Sequence, residues 1–174
     1  MQREFDIVPP ETALIWVLPA MSIAIGIAGI AFGAREDPRA WFAMLVLIPV
    51  IGVLTWSVRR RRVSIDGETL VIAAGINTAR VKVSELQLDA ARIVNLDHDS
   101  ELRPRLKTMG TSMPGYRAGH FRLRDRRRAF VLVTRREKLL ALPERNGRML
   151  LLSLKQPQAL LDALGAIKNK RQPR

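Results

Sequence analysis

The chain has 174 residues with two histidines and no cysteine, so catalytic or metal chemistry would have to be assembled from few side chains. His98 lies between Asp97 and Asp99, and all three are metal-ligating types. Residues adjacent in sequence at one strand end seldom converge on one ion, however. The second histidine, His120, falls in an alternating stretch on the same face as Arg122 and Arg124. Asp97, His98 and Tyr116 are therefore the residues a catalytic or metal site would use, and a solvated turn is the simpler reading. Ser112, Tyr116 and His120 could in principle form a nucleophile and its base. The chain nonetheless has no nucleophile elbow, no glycine-rich phosphate cradle opening a helix and no carboxylate pair at helical spacing. The expectation is a protein without catalytic residues, metal or cofactor.

The chemistry that remains is cationic. Residues 1–58 hold three Lys/Arg against five acids, net −2, whereas residues 59–174 hold 26 against 11, net +15. Arg59, Arg60, Arg61 and Arg62 form one run, and Arg122, Arg124, Arg126, Arg127, Arg128, Arg135 and Arg136 gather around one hairpin and its exit. Such a field suits an acidic partner: lipid head groups, an acidic protein surface or nucleic acid. Retention beside a bilayer also selects for basic residues. Nucleic acid is the disfavoured alternative, because single-strand binders interleave aromatics with charge and the nearby Phe121 and Phe130 point inward by alternation. Met113, Pro114 and Tyr116, in the loop from Met109 to Tyr116, complete the residues expected to meet a partner. Their structural alternative is that Met113 and Tyr116 plug one mouth of a barrel.

These residues must be positioned by what surrounds them. Two long apolar runs, 13–32 and 40–58, contain no ionisable residue. About 20 apolar helical residues span a ~30 Å hydrocarbon core, so both are expected to be transmembrane helices. The charged bend 33–39 makes them a hairpin, and the four arginines that follow hold that end in the cytoplasm by the positive-inside rule. The acidic head argues against a cleaved signal peptide. Ser22, Gly26, Gly29 and Gly33 share one helix face, which permits close packing on the second helix or on another copy of the chain. Pro19 and Pro49 are candidate kinks, and Trp16, Trp41 and Trp56 lie near the run ends, where indoles favour the interface. No charge interrupts the runs, which argues against transport.

From Val63 the apolar period becomes two. Val63–Ile65 and Leu70–Ile72 flank Asp66-Gly67-Glu68-Thr69, a strong hairpin signal, and 79–83 and 90–96 continue a meander of about four strands. Asp97 to Gly119 has no period and is expected to be a long irregular loop. Strands resume at 120–124, 129–134, 139–142 and 149–154, the last two so continuously apolar that both of their faces should be covered. Pro157 opens a helix whose Leu160, Leu161, Leu164 and Ile167 make one apolar stripe.

Seven or eight antiparallel strands closed by one amphipathic helix resemble a pleckstrin-homology-like (PH-like) barrel. The stretch from Arg105 to Tyr116, then Gly119-x-Phe121, a valine-rich strand and a closing Leu-Ser-Leu-x-x-Pro, is similar to bacterial PH-domain membrane proteins over roughly Arg62 to Leu164. The resemblance implies a fold and a membrane setting, and brings no catalytic residues with it. Eukaryotic phosphoinositide binders place Lys and Arg on the first strands and the loop between them. Here that loop is the acidic Asp66-Gly67-Glu68, so the resemblance supports the fold and not that ligand.

The expected architecture is a cytoplasmic lead-in (1–12), a two-helix transmembrane hairpin (13–58), a mainly β PH-like barrel capped by a C-terminal helix (59–168) and a basic tail (169–174). The expected function is non-enzymatic: a scaffold in the bacterial inner membrane, multi-pass with both termini cytoplasmic, that binds a protein partner or anionic phospholipid, with homo-oligomerisation available through the Ser22/Gly26/Gly29/Gly33 face.

Overall fold

A computed structural model describes residues 2–9, 20, 23–24, 26–29, 49, 52, 60–75, 77–113 and 115–171. The two apolar runs, their bend, Arg59 and Pro114 lie largely or wholly outside these residues. Within the runs the described positions are helical. Among the described residues no helix is long and apolar enough to cross a membrane. Ser22 and Gly33 of the small-residue face also fall outside them.

Among the described residues ten strands form two sheets. The first runs in order β1 (Gln2–Phe5), β2 (Arg61–Asp66), β3 (Thr69–Ala74) and β4 (Asn77–Lys82). Asp66 pairs with Thr69 across the expected turn, where Gly67 takes a φ of +58°. The second sheet contains β5 (Arg92–Val94), β6 (Pro104–Met113), β7 (Tyr116–Leu123), β8 (Arg128–Val133), β9 (Leu139–Pro143) and β10 (Met149–Ser153), in the order β5-β9-β10-β8-β7-β6. A 15-residue helix, α1 (Pro157–Arg171), follows.

Period-two burial explains the second sheet. On β8 and β10, Phe130, Leu132, Leu150 and Leu152 enter a core shared with Val63, Leu70, Ile72 and Val81 of the first sheet and with Leu160 and Leu164 of α1. The alternate residues Val131, Val133, Met149 and Leu151 enter a second core with Leu96, Leu102, Phe121 and Leu123. Both faces are covered, so these strands are apolar throughout. The two sheets are linked by the isolated bridges Ile7–Leu154 and Leu86–Glu144.

Residues 2–5 of the lead-in form an edge strand on β2. Two expectations are corrected. The pairing is not wholly antiparallel, because β10 inserts between β8 and β9 and runs parallel to β8. The presumed loop 97–119 contains β6 and the start of β7. On β6 both faces are largely exposed, with Leu106 60% and Met109 61% accessible, so no apolar alternation was selected. The helix that follows β10 runs into the basic tail as far as Arg171.

Candidate anion-binding groove

The β6–β7 ribbon is bulged between Pro104 and Leu106 and between Lys107 and Met109. Where Gly110 faces Gly119 the two backbones come so close that a Cβ on Gly119 would sit 2.4 Å from the Met109 carbonyl oxygen. The ribbon forms one wall of a groove of about 760 Å³, and the opposite wall comes from Leu96, Arg103 and the residues that leave β8, Val133 to Arg136.

Six arginines line this groove, Arg103, Arg105, Arg117, Arg124, Arg135 and Arg136, and among the described residues no Asp or Glu lines it. Arg117 of β7 braces the ribbon wall by donating from Nη1 to the Pro104 carbonyl of β6 at 3.0 Å. Burial pushes its pKa down, and the nearby Arg136 guanidinium pushes the same way. Asp97 is held at the rim by Arg136 (3.3 Å) and Arg103 (3.7 Å). Arg103 also donates to the Leu96 and Asp97 carbonyls, which fixes the segment that supplies the second wall. Guanidinium forks bind phosphate and carboxylate oxygens in bidentate fashion, so the lining is chemically matched to an anion.

Tyr116 lies at one end of the groove. It is 1% exposed and packs in the core between the sheets, with a hydroxyl that has no hydrogen-bond partner. The Arg61 guanidinium sits 5.8 Å from its ring centroid. Burial pushes the Tyr116 phenol up, against the opposing pull of Arg61, and pushes the Arg61 pKa down. Thr134, also in the lining, donates from Oγ1 to the Val8 carbonyl at 2.7 Å, and Ser153 accepts from the Thr134 amide through its hydroxyl. Val8 and Arg61, which flank the segment containing both apolar runs, therefore lie beside the same end of the groove.

The expected site residues are dispersed. Met113, Tyr116 and Arg124 line the groove. Arg61 stacks on Tyr116, while Arg62 pairs with Glu4 at 2.7 Å on the surface, and Arg60 is exposed with its carbonyl accepting from the Gly75 amide. Arg122 and Arg128 face each other across β7 and β8 on the other side of the sheet. Arg126 occupies a turn at φ +69°, and Arg127 is bound to Asp125. Arg135 and Arg136 join the groove, but Arg103, Arg105 and Arg117 were not singled out from sequence. They occur one at a time in an aperiodic stretch, and only the curl of the ribbon brings them together.

The geometry does not assemble the alternative centre. Asp97 is engaged with arginines at the surface, the Asp99 carboxylate accepts from the Asn95 amide, and Tyr116 is enclosed in the core. Among the described residues no group of three or more His, Cys, Asp or Glu is placed to hold a metal. Phe121 and Phe130 are buried and present no ring for stacking on nucleobases.

The sequence model of the family described as "Bacterial PH domain" matches residues 61–166. No curated protein matches the chain, and no solved structure does.

Proposed function

The chain belongs to the bacterial PH domain family, and from that premise we propose a non-enzymatic binding module tethered to the bacterial inner membrane. Residues 13–32 and 40–58 are its two membrane-spanning helices. The PH-like domain stands at the cytoplasmic face and docks a protein partner or anionic lipid through its cationic surface.

One observation carries this reading. Strand β1 pairs in register with β2, Phe5 opposite Val63, so both ends of the segment containing the apolar runs belong to one folded domain. Both ends must then lie on the same side of any membrane that the segment enters. Two crossings satisfy this condition and a single crossing does not. Further support comes from the runs themselves: their described positions are helical, and Ile23 and Ile27 are 50% and 60% exposed, apolar surface that lipid would cover.

The absence of cysteine from the chain makes the test clean. Arg35→Cys in the bend and Glu137→Cys on the domain surface are each treated with a membrane-impermeant maleimide. In intact spheroplasts Arg35→Cys should label, and Glu137→Cys should label only after lysis. Labelling of Glu137→Cys in intact spheroplasts overturns the proposed orientation.

A further inference from the structure

The groove permits a narrower statement about what the module binds, which rests on the tether just described. We infer that the groove is a binding site for a phosphate-bearing anion of at least two negative charges, presented by phospholipid head groups of the leaflet that holds the tether.

Position is the first argument. Thr134, on the groove rim, holds the Val8 carbonyl, and only residues 9–12 separate Val8 from the first apolar run. A fully extended chain covers at most ~3.3–3.6 Å per residue, so that run begins within about 18 Å of the rim. At the other terminus of the tether, Arg61 lies over Tyr116, and only residues 59–60 separate it from the second run. Two short leashes thus reach the same end of the groove. The polar head-group layer is itself roughly 5–8 Å deep on each side of the hydrocarbon. A groove mouth tied down at both points is held at that layer and need not extract a lipid in order to meet its phosphate.

Charge is the second argument. Six guanidinium groups line the groove, and the carboxylate of Asp97 engages two of them from the rim. Arg117 is partly desolvated and close to Arg136, and both circumstances disfavour its charged form. A multiply charged anion between them relieves the repulsion and replaces lost hydration with charge-assisted hydrogen bonds. A singly charged phosphodiester would bring one charge to a lining of several guanidinium groups, and a zwitterionic head group would bring a cation with it. The volume, about 760 Å³, falls in the range of pockets that enclose small ligands, and a head group with two phosphates fits within it. The acidic Asp66-Gly67-Glu68 turn lies outside the lining, so the site is distinct from the first hairpin.

The test uses the full chain in delipidated detergent micelles, with bound species counted by native mass spectrometry. The probes are a bisphosphate lipid (cardiolipin), the monoanionic phosphatidylglycerol, the zwitterionic phosphatidylethanolamine, and inorganic pyrophosphate as a lipid-free source of the same chemistry. Cardiolipin should bind at least tenfold more tightly than phosphatidylglycerol, with no specific binding of phosphatidylethanolamine. The double variant Arg117→Gln/Arg136→Gln should lose at least tenfold. Arg122→Gln/Arg128→Gln, which removes the same charge outside the groove, should stay within twofold of the parent. Circular dichroism of each variant confirms that it is folded, and the single variant Arg105→Gln replaces the double one if that does not fold. Equal losses in both double variants, or equal binding of phosphatidylethanolamine, overturn the site. Binding of pyrophosphate without cardiolipin overturns the lipid as its source. If Glu137→Cys labels from outside while cardiolipin binding still depends on Arg117 and Arg136, the orientation falls and the site stands. The reverse result removes the site alone.

Discussion

Phe5 and Val63 are cross-strand partners, although both long apolar runs lie between them in the chain. The pairing makes the first residues a structural part of the domain. Ile7 extends it by bridging to Leu154 of the second sheet, and Val8 is held by Thr134 and Ser153. The N-terminus thus fastens one sheet to the other.

Phe5 is partly buried against the core between the sheets. Complete burial makes a Phe→Ala change cost ~3–5 kcal/mol, so Phe5→Ala should cost about 2 kcal/mol. Backbone amides of β2 should also exchange with solvent faster. Unchanged hydrogen exchange across Arg61–Asp66 would remove β1 from the fold.

Gly119 adopts a φ of +116°, and an added Cβ would meet the Met109 oxygen at 2.4 Å and the Gly110 Cα at 2.8 Å. Backbone atoms cannot swing aside as a side chain can, so Gly119→Ala should cost about 2–4 kcal/mol and open the groove wall. Gly165, inside α1, has nothing within 4 Å of the corresponding position. Gly165→Ala should therefore stabilise the domain by about 0.5–1 kcal/mol through helix propensity. Thermal unfolding of the two variants reads opposite signs.

The Tyr116 hydroxyl is buried without a partner. Removing it forfeits no hydrogen bond, so Tyr116→Phe should leave stability within about 0.5 kcal/mol of the parent. Tyr116→Ala deletes a ring that is 1% exposed and should cost about 3–5 kcal/mol. A large loss in the phenylalanine variant would mean that the hydroxyl has a partner in solution.

His120 makes an edge-on contact with Phe130, ring centroids 5.0 Å apart. Burial pushes its pKa below the usual 6.5, and Arg148 adds to the effect. The unfolded chain therefore takes up the proton at a higher pH than the folded one. The stability this provides is complete above pH 6.5 and declines as pH falls through the lower folded value. His120→Phe keeps a ring and cannot titrate, so its melting temperature should depend less on pH between about 7 and 5. Identical pH profiles for the two proteins would show that His120 is not the group responsible.

Local signals in the sequence determined much of the domain. Asp66-Gly67 specified a tight turn because aspartate and glycine tolerate positive φ. The unbroken apolar character of Leu139–Leu142 and Met149–Leu152 required burial on both faces, and both cores receive them. Pro157 and the stripe from Leu160 to Ile167 fixed the closing helix. Strand β6 was not legible, because a strand exposed on both faces carries no alternation, and its signal is instead the Gly110–Gly119 approach between partners that sequence cannot pair. The parallel placement of β10 beside β8 is a pairing between strands distant in the chain, and local patterning does not choose among such partners. The same holds for the groove. Single arginines at 103, 105 and 117 acquire a common purpose only when a bulged ribbon curls over one face of the sheet, and net charge in a sequence carries no information about which charges will face each other.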